Sequence, residues 1–286
     1  MTQEPFVVRP PAVAGSFYPA TPDEVRRSLR AASDAAVPRP ADATVPEAII
    51  VPHAGFVYSG AVAASAYSRI APAPSVIRRV VLLGPSHRFP VRGLAVPSVD
   101  AIDTPLGRIP IDDAARSCVT ELPAVLVDDR AHAAEHSLEV QLPFLQSILD
   151  HFTLLPISVG DATPEEVEAV LDACWGGPET LVVISTDLSH YLPHDDAVDL
   201  DARTAAAIVA NRPDAVSDTD ACGARPVRGL LRYAARRGLA VEQLDLRNSG
   251  DTAGDKSRVV GYASFAFTAE QPADHGDNYG DDQKHD

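Results

Sequence analysis

Unbroken apolar runs of four residues recur along the chain: Ala48-Ile49-Ile50-Val51, Val80-Val81-Leu82-Leu83 directly after Arg79, and Leu181-Val182-Val183-Ile184. Runs of this length, bounded by turn residues, predict strands buried on both faces, as in a parallel sheet. Between them the apolar period lengthens. Val25 and Leu29 share a helical face behind the capping sequence Thr21-Pro22-Asp23-Glu24, and Thr163-Pro164-Glu165-Glu166 repeats that signature ahead of Val167, Val170, Leu171 and Cys174. Small residues make 61–70 helical. Asp112 and Asp113 open a short helix that carries Cys118 as core filler, and Leu138, Leu142, Leu145 and Leu149 mark a helix from Glu135 onward in which Pro143 is a kink or a true start. Further helices are expected at 195–210 and 226–236, and strands at 94–108 (in fragments), 153–159 and 259–267. Pro156 argues against a central place for the strand at 153–159. The proline-rich stretch 37–46 is a linker, and 248–255 a long solvated turn.

Strands alternating with helices predict an α/β fold, a single domain with a central, mostly parallel sheet flanked by helices. Its span is 9–268, and the residues from 269 on read as a disordered acidic tail. From Glu270 to Asp286 that tail carries six acids and one lysine, with few apolar residues to offset the entropy of ordering. The whole chain has 286 residues, and the part before the tail is ample for one core.

Charge and composition narrow the partners. A net charge of −16 disfavours a phosphate-neutralising surface, and hence nucleic acid. No stretch reaches the roughly 20 apolar residues of a membrane span, and the start lacks a basic-then-apolar leader, so the cytoplasm is expected. Cys118, Cys174 and Cys222 are too few and too scattered for a disulfide framework.

The chemistry collects just past the strands. His53 follows the first apolar run, His87 the second and His190 the third, the last with Asp187 three residues before it. In open α/β sheets ligands bind outside the carboxyl ends of the strands, so three histidines in that position outweigh the ordinary reading of each as structural. His136 stands at the mouth of a helix, and Cys222 lies in a glycine-containing loop before another, where the helix dipole favours thiolate. The arm 9–19, extended and bounded by prolines, is expected to anchor on the surface rather than to touch the site.

Together Ala14-Gly15-Ser16-Phe17-Tyr18-Pro19, Pro52-His53-Ala54-Gly55, Gly84-Pro85-Ser86-His87, Glu135-His136-Ser137-Leu138-Glu139, Ser185-Thr186-Asp187-Leu188-Ser189-His190 and Cys222-Gly223 resemble the Memo family, also called the B component of the AmmeMemoRadiSam system. That family is similar in fold to the class III extradiol ring-cleaving dioxygenases, which hold iron through two histidines and a glutamate. The resemblance implies one transition-metal ion on His53, His87 and Cys222, iron first and copper or zinc also suited. It gives His190 as acid or base and His136 as a cleft histidine one step from the metal, while Asp187, three residues before His190, is placed by its spacing to orient it or a bound water. It also implies a small molecule or peptide in the cleft and an association with AMMECR-type and radical SAM proteins. Three functions compete: an oxidative or other redox activity at the metal, a non-catalytic adaptor using the same cleft, and a hydrolase with Cys222 as nucleophile and His190 as base oriented by Asp187.

Overall fold

The computed structural model describes residues 5–269, so the tail expected to be disordered lies, past Ala269, outside the described residues. In chain order the strands are β1 (Val8–Arg9), β2 (Ala48–Val51), β3 (Arg79–Pro85), β4 (Leu94–Val96), β5 (Ala101–Thr104), β6 (Gly107–Pro110), β7 (Val125–Val127), β8 (Thr153–Val159), β9 (Thr180–Ser185), β10 (His190–Leu192), β11 (Leu239–Asn248) and β12 (Val259–Ala269). The α-helices are α1 (Pro22–Asp34), α2 (Phe56–Ile70), α3 (Asp113–Thr120), α4 (Arg130–Ala133), α5 (Leu142–Ile148), α6 (Pro164–Cys174), α7 (His194–Val209), α8 (Ala224–Arg237) and α9 (Ser249–Thr252).

Four strands, in the order β2-β9-β3-β8, form a parallel ladder at the centre of a nine-stranded sheet. Antiparallel β12 and β11 extend it past β2, and β4 with β7 extend it past β8. Successive side chains of the apolar runs point to opposite faces, which explains why the runs have no polar positions. Ile50, Val81, Leu83, Val182 and Ile184 meet α6 and α8 on one face. Ile49, Val51, Val80, Leu82, Leu181 and Val183 meet α1, α2 and α5 on the other. A separate small sheet of β1, β5 and β6 closes one flank.

Several expectations needed correction. Pro156 is central: it faces Leu82 of β3, and its missing N–H falls on the other edge, between the bridge at Leu154 and the β4 pairing at Ser158. No ladder bond is lost there. Cys118 is exposed, because the buried stripe of α3 runs through Ala115 and Val119. The segment from Glu135 is irregular up to a 3₁₀ turn at Glu139–Gln141, and Pro143 sits in the first turn of α5, where its absent N–H costs nothing. The 248–255 turn contains α9, capped by Asn248 and Asp251. Sequence reading missed β11 altogether: its register shifts between Gln243 and Asp245, a bulge that breaks the two-residue alternation.

The two helices on one face pack unusually close. A Cβ on Gly229 of α8 would fall 2.3 Å from Val167 Cγ1 of α6. Replacement of a helix-interior glycine by alanine ordinarily gains up to about 1 kcal/mol, but overpacking here costs about 1–3 kcal/mol. Gly229→Ala is therefore expected to lower the melting temperature by a few degrees, and a thermal melt at or above the parent value would refute this packing argument.

Candidate metal centre

The ladder register sets the geometry of the site. Val51 pairs with Ser185 and Leu83 with Ile184, so β2, β9 and β3 stop side by side and their following loops leave from one end. His53 and His87 consequently meet, with ring centroids 5.3 Å apart. The irregular stretch before α5 brings in His136, its ring stacked on His87 at 4.7 Å and edge-on to His53 at 5.4 Å. One nitrogen from each of the three lies within 4.8 Å of the others, a spacing that could hold a metal ion.

Each imidazole is held by a specific partner. The Ser185 hydroxyl donates to Ser137 O at 2.6 Å and therefore accepts from His53 Nδ1 at 2.9 Å, leaving Nε2 with its lone pair toward the cluster. Burial, followed by the neighbouring His87, drives His53 down to about 3, so the ring is neutral. Glu135 Oε1 takes His87 Nδ1 at 2.9 Å, and Oε2 takes the His87 amide at 2.6 Å. Burial alone would raise Glu135, yet the bonds from His87 and the Ser137 amide outweigh it and hold the carboxyl at about 2. His136 is different: its Nδ1 is buried with no hydrogen-bond partner, lying 3.3 Å from Glu135 Oε1 but out of line for a bond. Burial and then His53 lower it to about 4.

Cys222 meets this cluster at His53, with Sγ 3.3 Å from His53 Nε2 and accepting the Asp187 amide at 3.3 Å; it is not among the three residues whose possible ligand atoms group within 4.8 Å. Gly223 permits this approach, since a Cβ there would sit 2.7 Å from Thr186 Cβ and 2.9 Å from Ser185 O at the end of β9. The dipole argument for a thiolate fails without a cation present: burial, and then the Asp187 carboxylate, push the Cys222 thiol up to about 12. A cavity of about 330 Å³ opens onto Cys222, walled in part by Ser86, Gly160 and Arg225.

Asp187 does not orient His190. Its buried carboxylate accepts the His53 amide at 2.7 Å and fixes the turn after β2, and burial raises its pKa. His190 Nδ1 instead donates to Leu188 O at 2.7 Å, and His190 stands at the rim on β10, exposed, with its neighbour Tyr191 in the left-handed region at φ 61°. β10 lies along β12 on the edge that β2 takes further on, through Leu188 N to Gly261 O and Gly261 N to Ser189 O, both 2.8 Å. The hydrolase arrangement of Cys222, His190 and Asp187 is thus not assembled as imagined, because the imidazole at Cys222 is that of His53.

The arm 9–19 both anchors and touches the site. Buried Glu139 receives Arg9 Nη1 at 2.7 Å, the amides of Ala12 and Val13, and Tyr18 Oη at 2.8 Å. Phe17 then lies 4.5 Å from the His136 ring, and Phe17 O takes the first amide of α2. The roles of Glu135 and Glu139 were not read from the sequence; the available signal was two carboxylates four residues apart, flanking His136 at the mouth of an apolar helix. Glu139→Ala would strand the buried Arg9 charge, at a cost of about 3–5 kcal/mol. Chemical denaturation should show that loss; an unchanged unfolding free energy would mean that the arm is held elsewhere.

Residues 9–266 match a family model described as Memo-like protein. A "MEMO1 family protein" of Ignicoccus hospitalis is 37% identical to this chain, covering 92% of it and 99% of that protein. One of Aquifex aeolicus is 36% identical, covering 91% and 99%. Among solved structures, an uncharacterized protein from Escherichia coli K12 covers 76% of this chain and 98% of its own, at 14% identity and a TM-score of 0.49, too loose a match for any argument.

Proposed function

We propose, starting from the fact that the chain belongs to the Memo-like protein family, that it is a mononuclear transition-metal protein with an enzyme-like cleft, acting in an oxidative or other redox reaction on a small substrate. The observation that carries this reading is the grouping of one ring nitrogen each from His53, His87 and His136 within 4.8 Å of one another, with Cys222 Sγ 3.3 Å from His53 Nε2 and with Nδ1 of His53 and of His87 each held by a hydrogen bond. Donors at about 2.0–2.3 Å from one ion in tetrahedral geometry stand about 3.5 Å apart, and the 3.3 Å between Sγ and His53 Nε2 fits that.

In this reading His53, His87 and Cys222 hold the ion and His136 lines its open side. Bound there, the metal would supply Lewis-acid or one-electron chemistry. Imidazole and thiolate suit iron, copper or zinc rather than magnesium or calcium, and iron is our first assignment. The chain does the rest. Ser185 and Glu135 fix the two rings, Phe17 covers His136 against water, and His190 at the rim is the residue placed to pass a proton to or from a substrate.

Metal analysis of tag-free protein tests the ligand set. The parent should carry one equivalent, Cys222→Ser and His53→Ala should each lose most of it, and Glu135→Gln should weaken binding by about 10–100-fold. His190→Ala should keep the metal and lose turnover or ligand binding only. Stoichiometric metal in Cys222→Ser together with its loss in His136→Ala would transfer the third position to His136; a metal-free parent protein after reconstitution would end the proposal.

A further inference from the structure

Away from the histidines, α1, α2, α5 and the 36–39 stretch enclose a groove of about 720 Å³, within the range of sites that bury small ligands. Its accessible floor is apolar, formed by Val37, Leu106 and Ile148 above the buried rings of Tyr67 and Phe144. Its rim carries Arg26, Arg30 and Arg39, and none of the residues lining it is acidic. On a chain of net charge −16, a groove with three guanidiniums and no carboxylate on its walls runs against the surrounding field.

The arginines are also poorly employed. Among the described residues Arg30 has no ion-pair partner, and Arg26 has only the exposed carboxylate of Asp23 at 3.2 Å. Arg39 reaches the Ala43 carbonyl through one terminal nitrogen, yet its Nε is buried with no hydrogen-bond partner. Guanidinium forks recognise planar or tetrahedral oxyanions, and an apolar floor beneath them recognises what the oxyanion is attached to.

We propose that this groove binds an amphipathic anion, a phosphomonoester or carboxylate carried on an apolar body, with the body against Val37, Leu106 and Ile148 and the oxyanion at Arg26, Arg30 and Arg39. The site is separate from the metal centre and does not depend on the function proposed for it.

The probe is 1-naphthyl phosphate, titrated against the full chain by calorimetry, with 1-naphthoate as the carboxylate counterpart. Saturable binding by at least one of them is expected, with inorganic phosphate and 1-naphthol alone each at least about tenfold weaker. Arg30→Glu, on the exposed face of α1, should weaken the probe about tenfold or more while leaving the melting temperature unchanged. Ser147→Trp, which fills the groove from α5, should abolish binding, and His53→Ala should leave it intact. Absence of saturable binding, equal binding by 1-naphthol, or loss in His53→Ala with retention in Arg30→Glu would each overturn the proposal, the last by placing the probe at the metal centre.

Discussion

Everything at the site depends on three parallel strands ending in step. The pairing of Val51 with Ser185 and of Leu83 with Ile184 is imposed by the apolar side chains that interdigitate with helices above and below. A one-residue slip in any of the three would turn those side chains to the wrong face. The sheet therefore cannot relax to suit a ligand, and the donors are presented by a rigid edge. Differences in reach are absorbed by the loops, as in the turn after β2, where one carboxylate of Asp187 takes the His53 amide.

Buried carboxylates perform the second layer of the construction. Glu135 ties the loop after β3 to the segment before α5, Glu139 ties that segment to the arm, and Asp187 ties the loop after β2 to the loop after β9. None of the three sits in a helix interior or a strand of the main sheet. Each stands where four or five backbone and side-chain donors converge on irregular chain, or where a turn needs an anchor that no ladder can provide. A buried charge of this kind is costly to leave alone and so enforces one arrangement of the groups around it.

Much of this could be read in the chain. The parallel strands announced themselves because a strand covered on both faces admits no polar residue, and His53, His87 and His190 could be located because each follows such a strand. β11 could not be seen, since its bulge breaks the alternation by which half-buried strands are recognised. The protonation of Cys222 was misjudged for a related reason: the dipole of a following helix is a local property, while the burial that dominates its pKa comes from the fold as a whole. The place of Glu135 beneath two histidine rings follows from contacts between segments 48 residues apart, which no pattern within either segment encodes.

β12 occupies a position whose consequence is temporal. It pairs with β2 on one edge and with β11 on the other, and through Gly261 it also seats the stretch that carries His190. During synthesis β2 leaves the ribosome more than two hundred residues before β12 does. Throughout that interval the edge of β2 has no antiparallel neighbour, and the rim histidine has no bed to lie on. The centre is thus assembled late, after most of the sheet has been made, and a nascent chain halted short of β12 carries the histidines at 53, 87 and 136 next to an open strand edge, the feature that invites pairing with another chain.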